Sequence, residues 1–293
     1  MVTVKHVSGD MSLTGIVAAM EEEIVGLRAR LVDPRPGSVN GAHVTLGSLG
    51  ASRVAIAVTG DGERNARRGL AALLAAFPAR RIVVAGVAGG LSPSLGLGAL
   101  VLAEQVLAED EGELHAADAA LLDVVSRIGG AQRGVVGSAG RIADTVAEKR
   151  RLLALAGTRV APAAAAADLR AVVDLESAAF VAVAARMGVP WIVLRAVSDT
   201  ATESVPAILN RSRDEGGAVR RGSVVRGLLG NPGALLPLLA LRERVRTCAG
   251  VLADAVELSV VALGALDAAS AAVTYGKSDP EDRPLPREVL NGV

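Results

Sequence analysis

The sequence predicts an α/β protein of three layers, α/β/α, around a twisted, mainly parallel mixed sheet. Three observations lead there. Short apolar runs alternate with amphipathic helical patterns along most of the chain. Some runs, Arg81–Val87 among them, are apolar without alternation, as strands covered on both faces are. Glycines follow a strand run at its carboxyl end, where α/β sheets bind ligands.

Element by element, Leu13–Ala18 reads as a buried first strand and Ala19–Leu31 as the helix after it. That helix opens on three glutamates, which suits the positive end of a helix dipole. His43–Leu49 and Arg53–Thr59 form two adjacent strands, and Asn65–Phe77 has the 3.6-residue period of an amphipathic helix. Arg81–Val87 is a strand running into a Gly-Gly turn; Ala99–Val106 is a further strand and Ala116–Ile128 a helix. Gly134–Ser138 begins another strand, followed by a charged helix around Thr145–Leu155. The alanine-rich stretch 161–167 fits a loop or a frayed helix equally. Ala171–Asp174, the helix Leu175–Met187 and the strand Trp191–Val197 complete the α/β part, and beyond Pro206 the chain turns helical and basic. The reading gives a domain over 11–270, with 207–270 as an extra helical region and flexible termini at 1–10 and 275–293.

Composition narrows the function. Thirty-one Lys and Arg balance 31 Asp and Glu in 293 residues, so no charge draws the chain to nucleic acid or an anionic surface. The single cysteine, Cys248, forbids an internal disulfide and fits a reducing cytoplasm. His6, His43 and His115 are scattered and suggest no metal site. No apolar run of about 18 residues is free of charge: Val251–Leu266 carries Asp254 and Glu257. A peripheral membrane contact through the C-terminal helices stays open. The aromatic residues are Phe77, Phe180, Trp191 and Tyr275, so a base-stacking pocket has few rings to draw on.

Three segments carry chemistry. Gly15-Ile16-Val17-Ala18-Ala19-Met20-Glu21-Glu22-Glu23 delivers carboxylates at the end of a strand. Ala85-Gly86-Val87-Ala88-Gly89-Gly90-Leu91-Ser92-Pro93 ends a strand in glycines, which let backbone N–H groups approach a ligand. Val173-Asp174-Leu175-Glu176-Ser177 is followed by Arg195-Ala196-Val197-Ser198-Asp199. Glu176 suits a pair of vicinal hydroxyls, and Asp199 ends a buried strand, where desolvation favours a proton-holding carboxyl. A fourth segment, Thr59–Ala66, offers Gly60 and Gly62 before a helix, an anion-binding geometry that Arg64, Arg67 or Arg68 would complete. An ordinary strand–turn–helix corner with solvated arginines explains it as well.

Together the first three segments resemble the nucleoside phosphorylase superfamily, most of all its nucleosidase branch typified by methylthioadenosine/S-adenosylhomocysteine nucleosidase. The similarity runs from about Leu13 to Thr202. The resemblance implies that Glu23 activates a nucleophilic water and that Glu176 binds the ribose 2′- and 3′-hydroxyls. It places Leu175 on the sugar, Asp199 as the acid at purine N7 and Ser198 beside the base. Val87, Ala88, Gly89 and Ile142 fall at substrate-facing positions.

Departures are equally visible: Val87 replaces the usual serine of the glycine turn, and 137–142 holds no ring to stack on a purine, leaving Arg141 as a candidate. The Gly-Val-Ala-Gly-Gly turn, Ile142–Lys149 and Leu209-Asn210-Arg211 resemble the hopanoid-associated phosphorylases, which implies adenosylhopane as a substrate. The expectation is therefore cleavage of the N-glycosidic bond of a purine (adenine) nucleoside with an apolar or modified 5′ group. The nucleophile is left open between water and phosphate; no cofactor or metal is implied, and a homodimer or higher homo-oligomer is expected. A futalosine-type or methylthioadenosine/S-adenosylhomocysteine nucleosidase, and a non-catalytic nucleoside-binding protein, are the alternatives.

Overall fold

A computed structural model describes residues 13–110, 112–128, 130–160, 168–213 and 232–275. The expected extension at 1–10, the 161–167 stretch and residues 276–293 of the expected tail lie outside the described residues.

Ten strands form one mixed sheet in the order β10-β6-β8-β9-β5-β1-β4-β3-β2, with β7 (Leu114–Ala116) on β6. At its centre lie β1 (Thr14–Ala18), β5 (Arg81–Gly90) and β10 (Trp191–Asp199). All three run parallel, Gly15 against Ile82 and Trp191 against Ile82, and nearly all their side chains are buried. Continuous apolar runs become parallel strands because helices cover both faces. Strand β5 also pairs with β9 (Ala171–Asp174), and β9, β8 (Ala131–Ser138) and β6 (Leu100–Ala108) lead back to β10. One half of the sheet therefore curls closed around β5, while β4 (Ser52–Val58), β3 (Ala42–Leu49) and β2 (Val32–Val39) extend the other half as an antiparallel meander.

Two apolar clusters lie on opposite faces. One holds α2 (Glu63–Ala76) and α5 (Ser177–Arg186) through Leu70, Leu73, Phe180 and Val183. The other holds α1 (Glu21–Arg28), α3 (Ala119–Ser126) and a 41-residue helix, Leu235–Tyr275, through Ile24, Leu27, Leu122, Leu252 and Val256. With α4 (Val146–Val160) and the short α6 (Ile208–Arg211) before it, the long helix is α7. By length and composition Leu235–Ala269 meets the requirement for crossing a bilayer. Its middle stretch, however, buries Cys248, Leu252, Val256, Val260 and Leu263, spaced by three or four residues, against the protein. Arg30 holds the same stretch through Asp254 (2.6 Å) and Glu257 (2.8 Å).

Two expectations need correction. The strand that begins at Arg81 does not turn at its glycines: β5 continues through Gly90, with Gly89 opposite Val173 and Gly90 opposite Val172. The glycines are needed because β5 is squeezed between neighbours; a Cβ on Gly89 would stand 3.1 Å from Asp199 Oδ2. The strand β2 was not foreseen, since Pro34 and Pro36 argue against a ladder. It sits at the sheet edge, pairs only with β3 and is almost wholly exposed, so the missing N–H groups disrupt no second neighbour.

Candidate active site

Beyond the carboxyl ends of β1, β5 and β10 lies a cavity of about 400 Å³. Its floor is polar (Glu23, Glu176, Ser198 and Asp199) and its wall is apolar (Val205, Leu209, Leu238, Leu241 and Val245).

Glu23 is brought there by its helix. Met20 precedes α1, and Glu23, three residues on, reaches back to accept the Met20 N–H at 2.9 Å. Its other oxygen accepts the Val87 N–H from β5, also at 2.9 Å. Glu21 instead faces solvent and pairs with Arg28, Glu22 is half-buried and borders the cavity, and Glu23 alone of the three is buried. Burial pushes the Glu23 carboxyl up from its ordinary value, against the pull of Arg195 and the two N–H donors.

Arg195 is almost fully buried under Gly86. It donates to the Ser177 hydroxyl (2.9 Å) and pairs with Asp174 at 2.5 Å. Asp174 accepts from the Ser138 hydroxyl (2.6 Å), which itself accepts the Ala178 N–H (2.9 Å). Strands β8, β9 and β10 and the start of α5 are thus tied together beneath the cavity. Gly86 makes this possible, because a Cβ there would overlap the guanidinium and stand 2.7 Å from Glu23 Oε1.

Glu176 caps α5 and is 8% exposed. Its Oε1 accepts the Gly62 N–H at 2.8 Å. Burial first, and then the nearby Asp174 carboxylate, push its pKa up to about 8. That single hydrogen bond changes the reading of the Gly60–Arg64 segment. The N–H expected to hold an anion already serves a carboxylate, Asp61 lines the cavity, and Arg64 is exposed and is not among the cavity's lining residues. Arg67 pairs with Glu63, and Arg68 approaches the Asn40 carbonyl. The segment is a corner that supports Glu176, not an assembled anion clamp.

Leu175, Ser198, Val87, Ala88, Gly89 and Ile142 all border the cavity. Arg141, the stacking candidate, is exposed and is not among the lining residues, whereas its neighbour Ile142 borders the cavity. Asn210 on α6 fixes that loop, accepting the Ile142 N–H (3.0 Å) and donating to its carbonyl (2.8 Å). Asp199 accepts from Ser198 at 2.7 Å and forms an ion pair with Lys149 of α4. The expected carboxyl alone at a dry strand end is in fact one half of a buried pair. Lys149, Asn210 and the part that Arg195 plays beneath the cavity are what sequence reasoning missed. The one available signal was the period Lys149, Leu152, Ala156, which puts a lysine on the buried face of α4. His43 and His115 lie outside the cavity lining, and Cys248 is buried against the Val197 carbonyl. Among the described residues no His, Cys, Asp and Glu cluster could hold a metal ion.

Comparison with known proteins bears on the family and the fold. The chain is 27% identical over 218 residues to a 5′-methylthioadenosine/S-adenosylhomocysteine nucleosidase of Marinomonas sp. (strain MWYL1), covering 67% of this chain and 89% of that one. A protein of the same name from Mycobacterium tuberculosis (strain CDC 1551 / Oshkosh) is 41% identical over 102 residues, 34% of this chain and 39% of that one. Among solved structures, the nucleosidase from Colwellia psychrerythraea 34H in complex with adenine superposes with a TM-score of 0.67 at 20% identity, over 86% of this chain and 96% of that one. Futalosine hydrolase of Helicobacter pylori strain 26695 superposes with a TM-score of 0.64 at 17% identity, over 85% and 97%. At those identities the structures establish the shared fold. The sequence pattern of the phosphorylase superfamily matches residues 14–221, every strand included, and the chain belongs to that superfamily.

Proposed function

We propose that this protein hydrolyses the N-glycosidic bond of a purine nucleoside, with Glu23 as general base and Asp199 as general acid. The observation that carries the reading is that these two carboxyls and Glu176 border one cavity, with Glu176 engaged by Gly62. Asp199 gives its proton to purine N7, and the electron pair of the C1′–N9 bond leaves with the base. A water oxygen bonds to C1′ and its proton passes to Glu23. Glu176 hydrogen-bonds the two ribose hydroxyls and fixes the sugar. General acid and base help of this kind is worth about 10²–10⁴ in rate each.

Water is favoured over phosphate because the cavity floor holds Glu23, Asp61 and Glu176, and the Gly62 N–H is already donated. A phosphate dianion there would meet the oxygens of Glu23, Asp61 and Glu176, and the guanidinium that lines the cavity, Arg242, stands on α7 between the wall residues Leu241 and Val245. The wall of Val205, Leu209, Leu238, Leu241 and Val245 supports an apolar 5′ substituent. Adenosylhopane carries one, and methylthioadenosine a smaller one of the same character.

The test is adenine release from 5′-methylthioadenosine and 5′-heptylthioadenosine, with and without phosphate, by wild type and Asp199→Asn. We expect phosphate-independent release from both, stronger for the heptyl compound, and a loss of about 10²–10⁴ in the variant. Release that requires phosphate would replace water as the nucleophile. No release from either compound would overturn the function.

A further inference from the structure

Lys149 is completely buried, which a lysine almost never is without a specific partner. It stands on the inner face of α4, a turn below Leu152, and its Nζ lies against Asp199 Oδ2 and 2.6 Å from the Thr200 carbonyl. Asp199 itself is 6% exposed, and its second oxygen accepts from the Ser198 hydroxyl at 2.7 Å. Taking an ammonium and a carboxylate out of water costs several kcal/mol per ion, and such a pair is often less stabilising than an apolar one of equal volume. Stability is therefore a poor reason for the pair to exist. Reactivity is a better one, because Asp199 borders the cavity whereas Lys149 does not.

We propose that Lys149 is a positioning residue for the acid, an inference that rests on the hydrolytic reading above. The pair in the structure is the ionised one, with Lys149 on one Asp199 oxygen and the Ser198 hydroxyl on the other, and it is the state left once a protonated Asp199 has delivered its proton to N7. The Lys149 ammonium, fixed by the Thr200 carbonyl, neutralises that charge as it forms. It keeps all of its own protons; the proton that moves is the one on Asp199. An interaction that is stronger in the transition state than in the ground state lowers the barrier. The same contact fixes the rotation of the Asp199 side chain.

The experiment is a double-mutant cycle with Lys149→Met, Asp199→Asn and both together, using 5′-methylthioadenosine, with melting temperatures to follow folding. Lys149→Met is expected to lower kcat by about 10²–10³-fold, the scale of losing one preorganised electrostatic partner, with KM changed less than about threefold. In the Asp199→Asn background the same change should cost less than about threefold more, because Lys149 acts only through Asp199. Ethylamine should restore at least about tenfold of kcat to Lys149→Ala by filling the vacated site with a cation. A residue that merely supports the fold would produce none of this pattern.

Retention by Lys149→Met of more than about a tenth of wild-type kcat, or a further tenfold loss in the double variant, would overturn the proposal. Should Lys149→Met not fold, the double variant, which leaves no buried charge at the site, decides against Asp199→Asn by the same criterion. Failure of the underlying reading looks different: wild type itself then releases no adenine, and both fall together.

Discussion

Replacing Glu176 with Gln should make the free protein more stable at neutral pH and leave it unchanged in acid. Glu176 is buried, and its carboxyl titrates near 8 in the folded chain against an ordinary value of 4.5. A group that holds its proton more tightly when folded adds stability below pH 4.5, and that contribution is lost as the pH rises through 8. Within this window each pH unit costs at most 1.36 kcal/mol. Between pH 5 and pH 7 the ceiling is thus about 2.7 kcal/mol, or roughly 5–10 °C in melting temperature at 2–4 °C per kcal/mol. Glu23 is shifted in the same direction, so the wild-type slope contains both carboxyls. The glutamine variant isolates one of them, since its amide oxygen still accepts the Gly62 N–H and never ionises. Thermal unfolding of the two proteins at pH 5, 6, 7 and 8 provides the assay. The melting temperatures should coincide near pH 5 and diverge steadily above it, the variant higher. A difference independent of pH, or one favouring wild type at pH 7, would refute the argument that burial holds this carboxyl neutral.

Two further changes test how the site is supported. Gly86→Ala puts a methyl group against the buried Arg195 guanidinium and Glu23, so adenine release should fall about 100-fold or more. Gly96→Ala, where nothing lies within 4 Å, should behave as wild type in the same assay. Leu252→Ala removes a side chain that is 1% exposed beneath α7, and denaturant unfolding should show a loss of about 2–5 kcal/mol.

How much of this was legible depended on whether the signal was local. The strands β1, β5 and β10 announce themselves because burial on both faces demands uninterrupted apolar residues. Glu23, Glu176 and Asp199 were found because each follows a recognisable strand end in a fixed order. Lys149 and Asp199 are 50 residues apart, and Asn210 meets Ile142 across 68; nothing in either neighbourhood names the other. A lysine on a charged helix reads as a solvated charge until the fold buries it. The turn expected at Gly89–Gly90 failed for a related reason. Glycine marks both turns and close approach, and only the presence of β9 and β10 on either side decides which applies.

The floor of the cavity and much of its wall come from different parts of the chain. Glu23, Glu176 and Asp199 stand on elements within the superfamily match at 14–221, whereas Leu238, Leu241 and Val245 come from α7, which lies wholly beyond it. One helix therefore performs two tasks along its length. Residues Cys248 to Leu263 anchor it in the core and are fixed by Arg30, while the preceding turns are only partly buried and overhang the cavity. Leu238, Leu241 and Val245 in those turns shape the wall, while Arg244 among them pairs with Glu203, which accepts the Thr200 N–H beside Asp199. On the proposed hydrolytic reading, the groups that react and much of the wall that meets the 5′ group stand on different elements, and specificity resides in what is grafted onto a scaffold that holds the reacting groups still.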